Sequence, residues 1–193
     1  MKLLTQFSLP HENKSELLHL LKTECYRRGD YKLSSGKKSP HYVNCKPVTL
    51  SGYGLSLVSP LMVDLLEDDT EAVAGLTLGA DPLVAGVALS AWMVQKPCDA
   101  FIVRKKPKGH GTGAWIEGPS KPSGTKVTVL EDVVTTGGSV LKAVDKLREA
   151  DYTVDRVITI VDRKEYEPDF FEGYALELKS LFTIDDILSL IHI

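Results

Sequence analysis

Two adjacent carboxylates followed by hydroxyl and glycine residues mark the segment KVTVLEDVVTTGGSV, residues 126–140. Residues 127–130 have the length and β-branched content of a buried strand, and the segment from Glu131 onward is predicted not to be strand. A helix is predicted to begin near Gly138. Backbone N–H groups and the helix dipole favour an anion at such a helix start, so the segment predicts a phosphate site.

The composition of this segment indicates what the phosphate is attached to. Two glycines let the backbone approach a ligand closely, and three hydroxyl side chains add hydrogen-bond donors. These residues are Gly137, Gly138, Thr135, Thr136 and Ser139. Glu131 and Asp132 would repel phosphate, so their natural partners are ribose hydroxyls or a metal-bound group beside it. A turn with a helix cap would explain the glycines alone, whereas the full string favours a sugar phosphate ligand.

A second segment, FIVRKKPKGHGTGAWIEG (101–118), concentrates potential cations between glycines. The cations are Arg104, Lys105, Lys106, Lys108 and His110. Arginine and lysine bind polyphosphate by charge-assisted hydrogen bonds, and a glycine-rich loop can close over it and exclude water. A solvated basic hairpin tip is the alternative for this segment taken alone. Next to a phosphate site, the segment predicts a polyphosphate contact.

Helices and strands alternate along the chain, which predicts a parallel sheet covered by helices on both faces. The predicted strands are 72–76, 100–105, 127–130, 156–161 and 175–182, and the predicted later helices are 82–93 and 139–150. Thr183 and Asp186 are expected to cap a short last helix. Ligands bind at the carboxyl ends of the strands in such a sheet, and both segments described above lie there.

The N-terminal part has a different pattern. A first helix is predicted over about 13–28 with Asn13 as its cap, and residues 31–47 are predicted to be turns and an edge strand. A second helix is predicted from an apolar face made of Tyr53, Leu57, Leu61 and Leu65. Trp92 and Met93 follow apolar residues of a later helix, so we expect them in the core.

Composition excludes several classes of protein. A net charge of -3 gives no electrostatic reason to expect nucleic-acid binding. Cys25, Cys45 and Cys98 are odd in number and lack CxxC spacing, so neither a disulfide framework nor a zinc site is indicated, and a cytoplasmic location is expected. The longest apolar run, 84–94, is too short to span a bilayer, so no membrane partner is expected.

Several motifs resemble one enzyme family. The carboxylate pair followed by TTGGS resembles the 5-phosphoribosyl-1-pyrophosphate (PRPP) motif of type I phosphoribosyltransferases, and RKKPKGHGTG resembles the catalytic loop of orotate phosphoribosyltransferases. YKLSSGKKSPHYVN (31–44) is similar to the N-terminal segment of that family, and VDRKE (161–165) resembles the segment with its orotate-contacting arginine. SLFTIDDIL resembles its C-terminal end, so the resemblance covers nearly the whole chain.

The resemblance implies a fold and a reaction. The fold would be the α/β type I phosphoribosyltransferase fold, a parallel sheet flanked by helices with a small N-terminal hood. Residues 1–193 would form a single domain, with the hood contributed mainly by about 1–50. The reaction would transfer the 5-phosphoribosyl group from PRPP to N1 of orotate, giving orotidine 5'-monophosphate and pyrophosphate, in de novo pyrimidine biosynthesis. The implied cofactor is Mg²⁺, and the implied assembly is a homodimer that shares its catalytic loops.

The same resemblance implies the roles of individual residues. Catalytic roles fall on Arg104, Lys105, Lys108, His110 and Asp132. Substrate-binding roles fall on Glu131, Asp132, Val133, Val134, Thr135, Thr136, Gly137, Gly138, Ser139, Arg163 and Tyr42. Arg163 would bind the orotate carboxylate and Tyr42 would stack near the pyrimidine. Mg²⁺ would be held mainly through PRPP oxygens and water, without a set of protein ligands.

Two positions depart from the family's pattern. Ser34 stands where some members carry a lysine, and Lys37 or Lys38 could supply that charge instead. Asp81 and Pro82 stand where many members have a Tyr-Lys pair. Asp81 could orient water on magnesium, but the simpler expectation is that it caps the helix that Pro82 begins.

Two other functions share part of these motifs. A purine phosphoribosyltransferase would have the PRPP motif, but it would not explain RKKPKGHGTG or SSGKKSPHY. A regulatory protein of the same fold could bind nucleotide or RNA without catalysis. A base-selectivity assay separates the first alternative, and turnover of orotate would exclude the second.

Overall fold

The structure is a computed structural model that describes residues 10–32, 38–107 and 114–189. Its strands are β1 (Tyr26–Lys32), β2 (Lys38–Val43), β3 (Ala72–Leu76), β4 (Asp99–Val103), β5 (Ile116–Glu117), β6 (Lys126–Val134), β7 (Thr153–Asp162) and β8 (Glu177–Thr183). Its α-helices are α1 (Pro10–Leu20), α2 (Lys46–Thr49), α3 (Gly52–Val63), α4 (Asp81–Met93), α5 (Gly138–Glu149), α6 (Phe170–Gly173) and α7 (Ile184–Ser189).

Six strands form the central sheet in the order β5-β4-β3-β6-β7-β8. Strands β3, β4, β6, β7 and β8 are parallel, and the short β5 pairs antiparallel with β4 at one edge. All five residues of β3 are buried, as expected for a parallel strand covered on both faces. The predicted parallel sheet flanked by helices is therefore confirmed, and β5 adds an antiparallel edge strand that was not predicted.

Two apolar clusters pack against the sheet. One contains residues of α1, α3 and α4, such as Leu17, Leu61 and Val87, together with Leu130 and Ile158 of the strands. The other contains residues of α5 and α6 with the remaining strand positions. Within the described ranges, no helix is both long and apolar enough to cross a membrane.

The hairpin of β1 and β2 forms a separate two-stranded antiparallel sheet. Its pairing brings Tyr26 opposite Val43, and both side chains are buried in the same cluster as α1 and α3. The hairpin therefore rests on the helical layer, near the carboxyl ends of the central strands. It belongs to the region from which the hood was expected.

Most of the predicted later elements are confirmed. Strand β3 has the predicted bounds, α4 and α5 begin one residue before the predicted positions, and the last strand and helix are present. The predicted cap of α7 is reciprocal: the Thr183 backbone N–H donates to Asp186 Oδ2 at 2.7 Å, and the Asp186 N–H donates to Thr183 Oγ1 at 3.3 Å.

The bounds predicted for the first helix are wrong. Helix α1 begins at Pro10, so Asn13 lies buried inside the helix and does not cap it. The helix continues as a π-helical turn over Leu21–Cys25, and the predicted end near residue 28 falls inside β1. Pairing with β2 explains this end, because residues from Tyr26 onward satisfy their backbone groups in the hairpin.

Three further expectations are corrected. Strand β6 continues through Glu131 to Val134, because its backbone pairs with β7 and a carboxylate does not interrupt that ladder. Trp92, 70% exposed, and Met93 lie on the outer face of α4 and are not core residues. Tyr53 is also exposed, at the first turn of α3.

Candidate active site

The phosphate loop connects β6 to α5 and covers residues 135–137. Gly137 has a φ of 78°, in the left-handed region that favours glycine. A Cβ atom at this position would also lie 2.3 Å from a ring carbon of Phe170, which packs against the loop. The 12-residue helix α5 starts at the next residue, so its first N–H groups face the loop.

A cavity of about 760 Å³, the main cavity of the site, opens at this loop. The predicted residues that line it are Arg104, Lys105, Glu131, Val133, Val134, Thr135, Thr136, Gly137, Gly138 and Ser139. They come from the ends of β4 and β6 and from the start of α5. The structure therefore joins the start of the basic segment and the phosphate loop in one cavity, as their positions at the carboxyl ends of parallel strands predicted.

Arg104 is held at the edge of this cavity by the base of the basic segment. Its backbone N–H donates to the Trp115 carbonyl oxygen at 2.8 Å, and its Nη1 lies 3.2 Å from Glu117 Oε1 on β5. Lys105 is exposed beside it. The predicted catalytic residues Lys108 and His110 lie outside the described residues.

Glu131 and Asp132 are both buried, with 6% and 9% of their surface exposed. Burial, followed by the neighbouring charge of Asp132, raises the pKa of Glu131 well above its ordinary value. Asp132 Oδ1 accepts a hydrogen bond from the Val133 N–H at 3.0 Å. A Cβ atom on Gly79 would lie 2.7 Å from the same oxygen, so only glycine lets the loop after β3 approach Asp132 this closely.

A cation from the N-terminal region reaches the acidic pair. Lys46 Nζ, on the first residue of α2, lies 3.7 Å from Asp132 Oδ2 and donates to Asn44 Oδ1 at 3.2 Å. Neither Lys46 nor Asn44 was predicted to be a functional residue from the sequence. A lysine directly after the buried Cys45 was a weak signal, because neither periodicity nor spacing links it to Asp132.

Arg163 lies under the hairpin and does not line the main cavity. Its Nη2 donates to Ser39 Oγ at 2.9 Å, to the His41 carbonyl oxygen at 3.1 Å and to the Glu165 carboxylate. Its Nε is buried without a hydrogen-bond partner among the described residues. Arg163 therefore joins the end of β7 to β2.

Tyr42 and Lys38 are placed on the same hairpin strand. Tyr42 is 42% exposed, and its ring stacks on Tyr31 with the centroids 4.9 Å apart. Lys38 lines a small cavity with Ser39, Glu165, Tyr166 and Glu167. Lys38 is thus near Ser39 and Glu165, which both accept hydrogen bonds from Arg163. Ser34 and Lys37 lie outside the described residues.

The expectation that Asp81 caps a helix is wrong. The residue before α4 is Ala80, no side chain caps this helix, and Asp81 already belongs to its first turn. Asp81 Oδ2 accepts a hydrogen bond from the Thr77 hydroxyl at 2.8 Å instead. Its Oδ1 is buried without a hydrogen-bond partner in the described part of the chain. Asp81 also lines a second cavity with Arg104 and Lys105.

An aromatic and a basic residue that were not predicted as site residues also line the main cavity. Trp115 lines it, and Lys146 Nζ on α5 lies 4.5 Å from the centroid of the Trp115 ring. Among the residues that the structure describes, no group of three or more His, Cys, Asp or Glu side chains could hold a metal ion.

Comparison with known families defines the class of protein. A model of the Phosphoribosyl transferase domain matches residues 58–173, which include the phosphate loop and the basic segment. The solved structure of a phosphoribosyltransferase from Corynebacterium diphtheriae superposes with a TM-score of 0.78 and 36% identity. That alignment covers 91% of this chain and 98% of that one.

Two further relatives identify the family within the phosphoribosyltransferases. The orotate phosphoribosyltransferase of Thermosynechococcus vestitus is 53% identical over 174 residues, which cover 90% of this chain and 92% of the relative. The crystal structure of Mycobacterium tuberculosis orotate phosphoribosyltransferase in complex with PRPP has a TM-score of 0.73 and 32% identity. It covers 91% of this chain and 98% of its own. The chain belongs to the orotate phosphoribosyltransferase family.

Proposed function

We propose that this protein transfers the 5-phosphoribosyl group of PRPP to N1 of orotate, giving orotidine 5'-monophosphate and pyrophosphate. The observation that carries the proposal is the shared cavity in which Arg104 and Lys105 face the loop from Thr135 to Ser139. One cavity thus offers a phosphate cradle and separate cations for a second phosphate group. PRPP has phosphate at both ends of its ribose, and membership of the orotate phosphoribosyltransferase family supports orotate as acceptor.

The 5'-phosphate would bind at the loop from Thr135 to Ser139. Free N–H groups at the start of α5 and the hydroxyls of the loop are suitable donors for phosphate oxygens. Gly137 leaves the loop backbone uncovered by a side chain, while Phe170 supports it from behind. This end of the substrate would therefore be fixed before the reacting carbon is positioned.

The ribose would lie next to Glu131 and Asp132. Loss of pyrophosphate from the anomeric carbon leaves oxocarbenium character on the ribose, and nearby carboxylates stabilise a developing cation. Glu131 lines the main cavity, whereas Asp132 is not among the lining residues and contacts Gly79 and Lys46. Carboxylates also accept hydrogen bonds from ribose hydroxyls, so the pair would both orient the sugar and favour charge separation.

The departing pyrophosphate would be neutralised by Arg104, Lys105, Lys108 and His110, the last two as the resemblance implies. The residues present also fit Mg²⁺, which prefers phosphate oxygens and water over a complete protein cage. Asp81 Oδ1, which has no hydrogen-bond partner within the described ranges, belongs to a residue that lines a cavity with Arg104 and would hold a water bound to that ion. When bound, Mg²⁺ would neutralise charge on the pyrophosphate.

Orotate would bind between the hairpin and the cavity. Arg163 suits its carboxylate because a guanidinium can donate two parallel hydrogen bonds, and Arg163 Nε has no partner among the described residues. Glu165 and Ser39 hold the other side of the guanidinium. Tyr42 would stack near the pyrimidine, and Thr135 would contact it from the loop.

We also propose a single domain that works as a homodimer. Residues of α1 and the hairpin share an apolar cluster with Leu130 and Ile158 of the sheet, which supports one domain. The outer face of α4 exposes Leu89, Trp92 and Met93, an apolar surface that a second copy of the chain would cover. In such a dimer, the segment from Lys108 onward would contribute to the second copy's site.

A spectroscopic assay of orotate consumption with PRPP and Mg²⁺ tests the proposed reaction. We expect turnover with orotate and none with adenine, guanine or hypoxanthine under the same conditions. Pyrophosphate release should match orotate loss mole for mole. Turnover of a purine base in place of orotate, or no turnover of any base by folded protein, would contradict the proposal.

Subunit exchange tests the shared loop. Lys108→Ala and Asp132→Ala should each be nearly inactive as pure dimers. After mixed dissociation and reassociation, half the dimers should be hybrids, and each hybrid would hold one intact site. The mixture should then recover about a quarter of wild-type activity, as two-fold symmetry requires. Activity that stays at the parental level, despite demonstrated exchange, would mean that each loop serves its own chain.

A further inference from the structure

Lys46 lies beside the acidic pair and has no role in the proposed binding of phosphate, pyrophosphate or orotate. Its Nζ is 3.7 Å from Asp132 Oδ2, but Lys46 does not line the main cavity. Asn44 Oδ1 accepts hydrogen bonds from both the Lys46 backbone N–H, at 3.3 Å, and Nζ, at 3.2 Å. Asn44, two residues earlier in the chain, therefore holds the Lys46 ammonium group near Asp132.

The backbone that carries Lys46 is fixed on the core. The preceding Cys45 is fully buried, and its Sγ approaches the Asp132 carbonyl oxygen at 3.8 Å. Pro47 occupies the next position in the first turn of α2. Main-chain freedom on both sides of Lys46 is therefore small, which keeps the cation at this end of β6.

Other groups around the carboxylates do not replace this charge. Thr159 of β7 donates its hydroxyl to the Asp132 carbonyl oxygen at 3.4 Å and carries no charge. The loop after β3 contributes Gly79, which has no side chain. Among the residues that the structure describes, Lys46 and Cys45 of the hood contact Asp132, and the charged groups that line the main cavity with Glu131 are Arg104, Lys105, Lys142, Asp145, Lys146 and Glu149.

Two adjacent buried carboxylates disfavour each other's ionisation, so a nearby cation changes how the pair titrates. Lys46 opposes the effects of burial and of Asp132 that raise the pKa of Glu131. A cation outside the cavity can do this without occupying the space of the substrate. It also remains in place when the cavity cations bind pyrophosphate.

We propose that Lys46 is a positioning residue that supplies the permanent counter-charge of the Glu131–Asp132 pair, with Asn44 fixing its ammonium group. Its effect on catalysis rests on the proposed function, in which this pair stabilises the ribose cation. The effect of Lys46 on the charge of Glu131 and Asp132 in the ligand-free protein does not depend on the proposed function. The two effects are measured separately.

The pH profile of kcat/KM for PRPP tests the catalytic effect. In Lys46→Met, the acidic limb should move to higher pH, with about tenfold lower activity on that limb and near wild-type activity on the plateau. Lys46→Arg should restore the wild-type limb. Lys179→Met is the matched control, since Lys179 is a similarly exposed lysine paired with Glu67 at the opposite end of the sheet. Its profile should not move.

Carboxyl ¹³C NMR of the ligand-free protein tests the electrostatic effect without any assay of turnover. Signals of the pair are assigned by their loss in Glu131→Gln and Asp132→Asn. Their titration should move to higher pH in Lys46→Met and stay at the wild-type position in Lys46→Arg and Lys179→Met. An enzyme inactive on orotate would defeat the proposed function, but this titration would still test the role of Lys46.

Three results would overturn the proposal. The first is an unchanged carboxyl titration in Lys46→Met. The second is an equal loss of kcat/KM at every pH, which would indicate packing. The third is a pH-independent rise in KM for PRPP alone, which would make Lys46 a direct substrate contact.

Discussion

The amino and carboxyl ends of the central sheet differ in how their charged side chains are arranged. At the amino end, carboxylates and cations lie near the surface in pairs of opposite sign. These pairs are Asp69 with Lys126 and Arg156, Glu67 with Lys179, and Asp68 with Lys96. At the carboxyl end, Glu131 and Asp132 are adjacent, buried and of the same sign, and the partly exposed Lys46 lies 3.7 Å from Asp132.

The charged residues at the amino end have little effect on stability, whereas those at the carboxyl end lower stability and favour catalysis. The hydrogen bond from Arg156 lowers the pKa of Asp69, whereas burial raises the pKa of Glu131. Exposed pairs contribute little to stability and are screened by salt. Buried like charges cost stability, but they provide strong fields where a cationic transition state would form. Substitutions at the two ends should therefore differ in kind as well as in size.

The largest difference should appear in catalysis when Asp132→Asn is compared with Asp69→Asn. We expect Asp132→Asn to lower kcat by about 10²-fold or more, because it removes a negative charge from the site of the developing ribose cation. Asp69→Asn should leave kcat unchanged. Steady-state kinetics with saturating PRPP and orotate measure both, and an unaltered kcat in Asp132→Asn would remove it from the catalytic residues.

The next largest difference should be between the binding of orotate and the binding of PRPP. Arg163→Ala and Arg163→Lys test it. Loss of a charge-assisted hydrogen bond should weaken orotate binding by about tenfold to a hundredfold and PRPP binding much less. Arg163→Lys keeps the charge but not the paired donors, so it should recover only part of the orotate affinity. Calorimetric Kd values for each substrate provide the measurement, and equal losses for both substrates would contradict this role.

Stability should respond to Glu131→Gln with a sign that depends on pH. Because the pKa of Glu131 is raised on folding, the folded state holds this proton more tightly than the unfolded state. The stability gained from it is present at low pH and is lost as pH rises through the raised pKa. Glu131→Gln should therefore raise the free energy of unfolding at pH 8 by about 1 kcal/mol, with a smaller gain near pH 5.

Urea denaturation at the two pH values measures this change. Glu67→Gln at the amino end is the control, because a hydrogen bond from Lys179 lowers the pKa of Glu67. Its stability contribution is present at neutral pH, so the substitution should reduce stability slightly. A loss of stability in Glu131→Gln at pH 8 would show that this carboxylate does not oppose folding.

The smallest effect is expected from salt on the amino-end pairs. Asp69→Asn removes the partner of both Lys126 and Arg156, yet we expect the Tm to fall by no more than about 2 °C. The difference between Asp69→Asn and wild type should vanish in about 1 M NaCl, where the Debye length is about 3 Å. A large, salt-independent fall would show that these pairs behave as buried ones.

Local sequence patterns predicted the elements whose structure is set locally. The bounds of β3 and the helix α5 follow from apolar periodicity and flanking glycines. The extension of β6 through Glu131 was not predictable in this way, because its backbone is ordered by pairing with β7. Trp92 was placed wrongly in the core because periodicity shows which residues are apolar, and not which face of α4 the sheet covers.

The candidate site shows the same division. The phosphate loop is contiguous, so residue types alone predicted its position at the end of β6 and the start of α5. The approach of Gly79 and Lys46 to Asp132 joins three separate segments, and only tertiary packing brings them together. The partners of Arg163 on β2 were missed for the same reason.

The base of the basic segment has a consequence for how this family can vary. Arg104 and Trp115 are joined by a backbone hydrogen bond, and β5 pairs with β4 directly below them. The two ends of the intervening segment therefore stay together whatever its length, and the entropy of closing a loop grows only slowly with added residues. Insertions and deletions between these two residues should leave the sheet in register. The segment between Arg104 and Trp115 should therefore be exchangeable between homologues without a change in the rest of the fold.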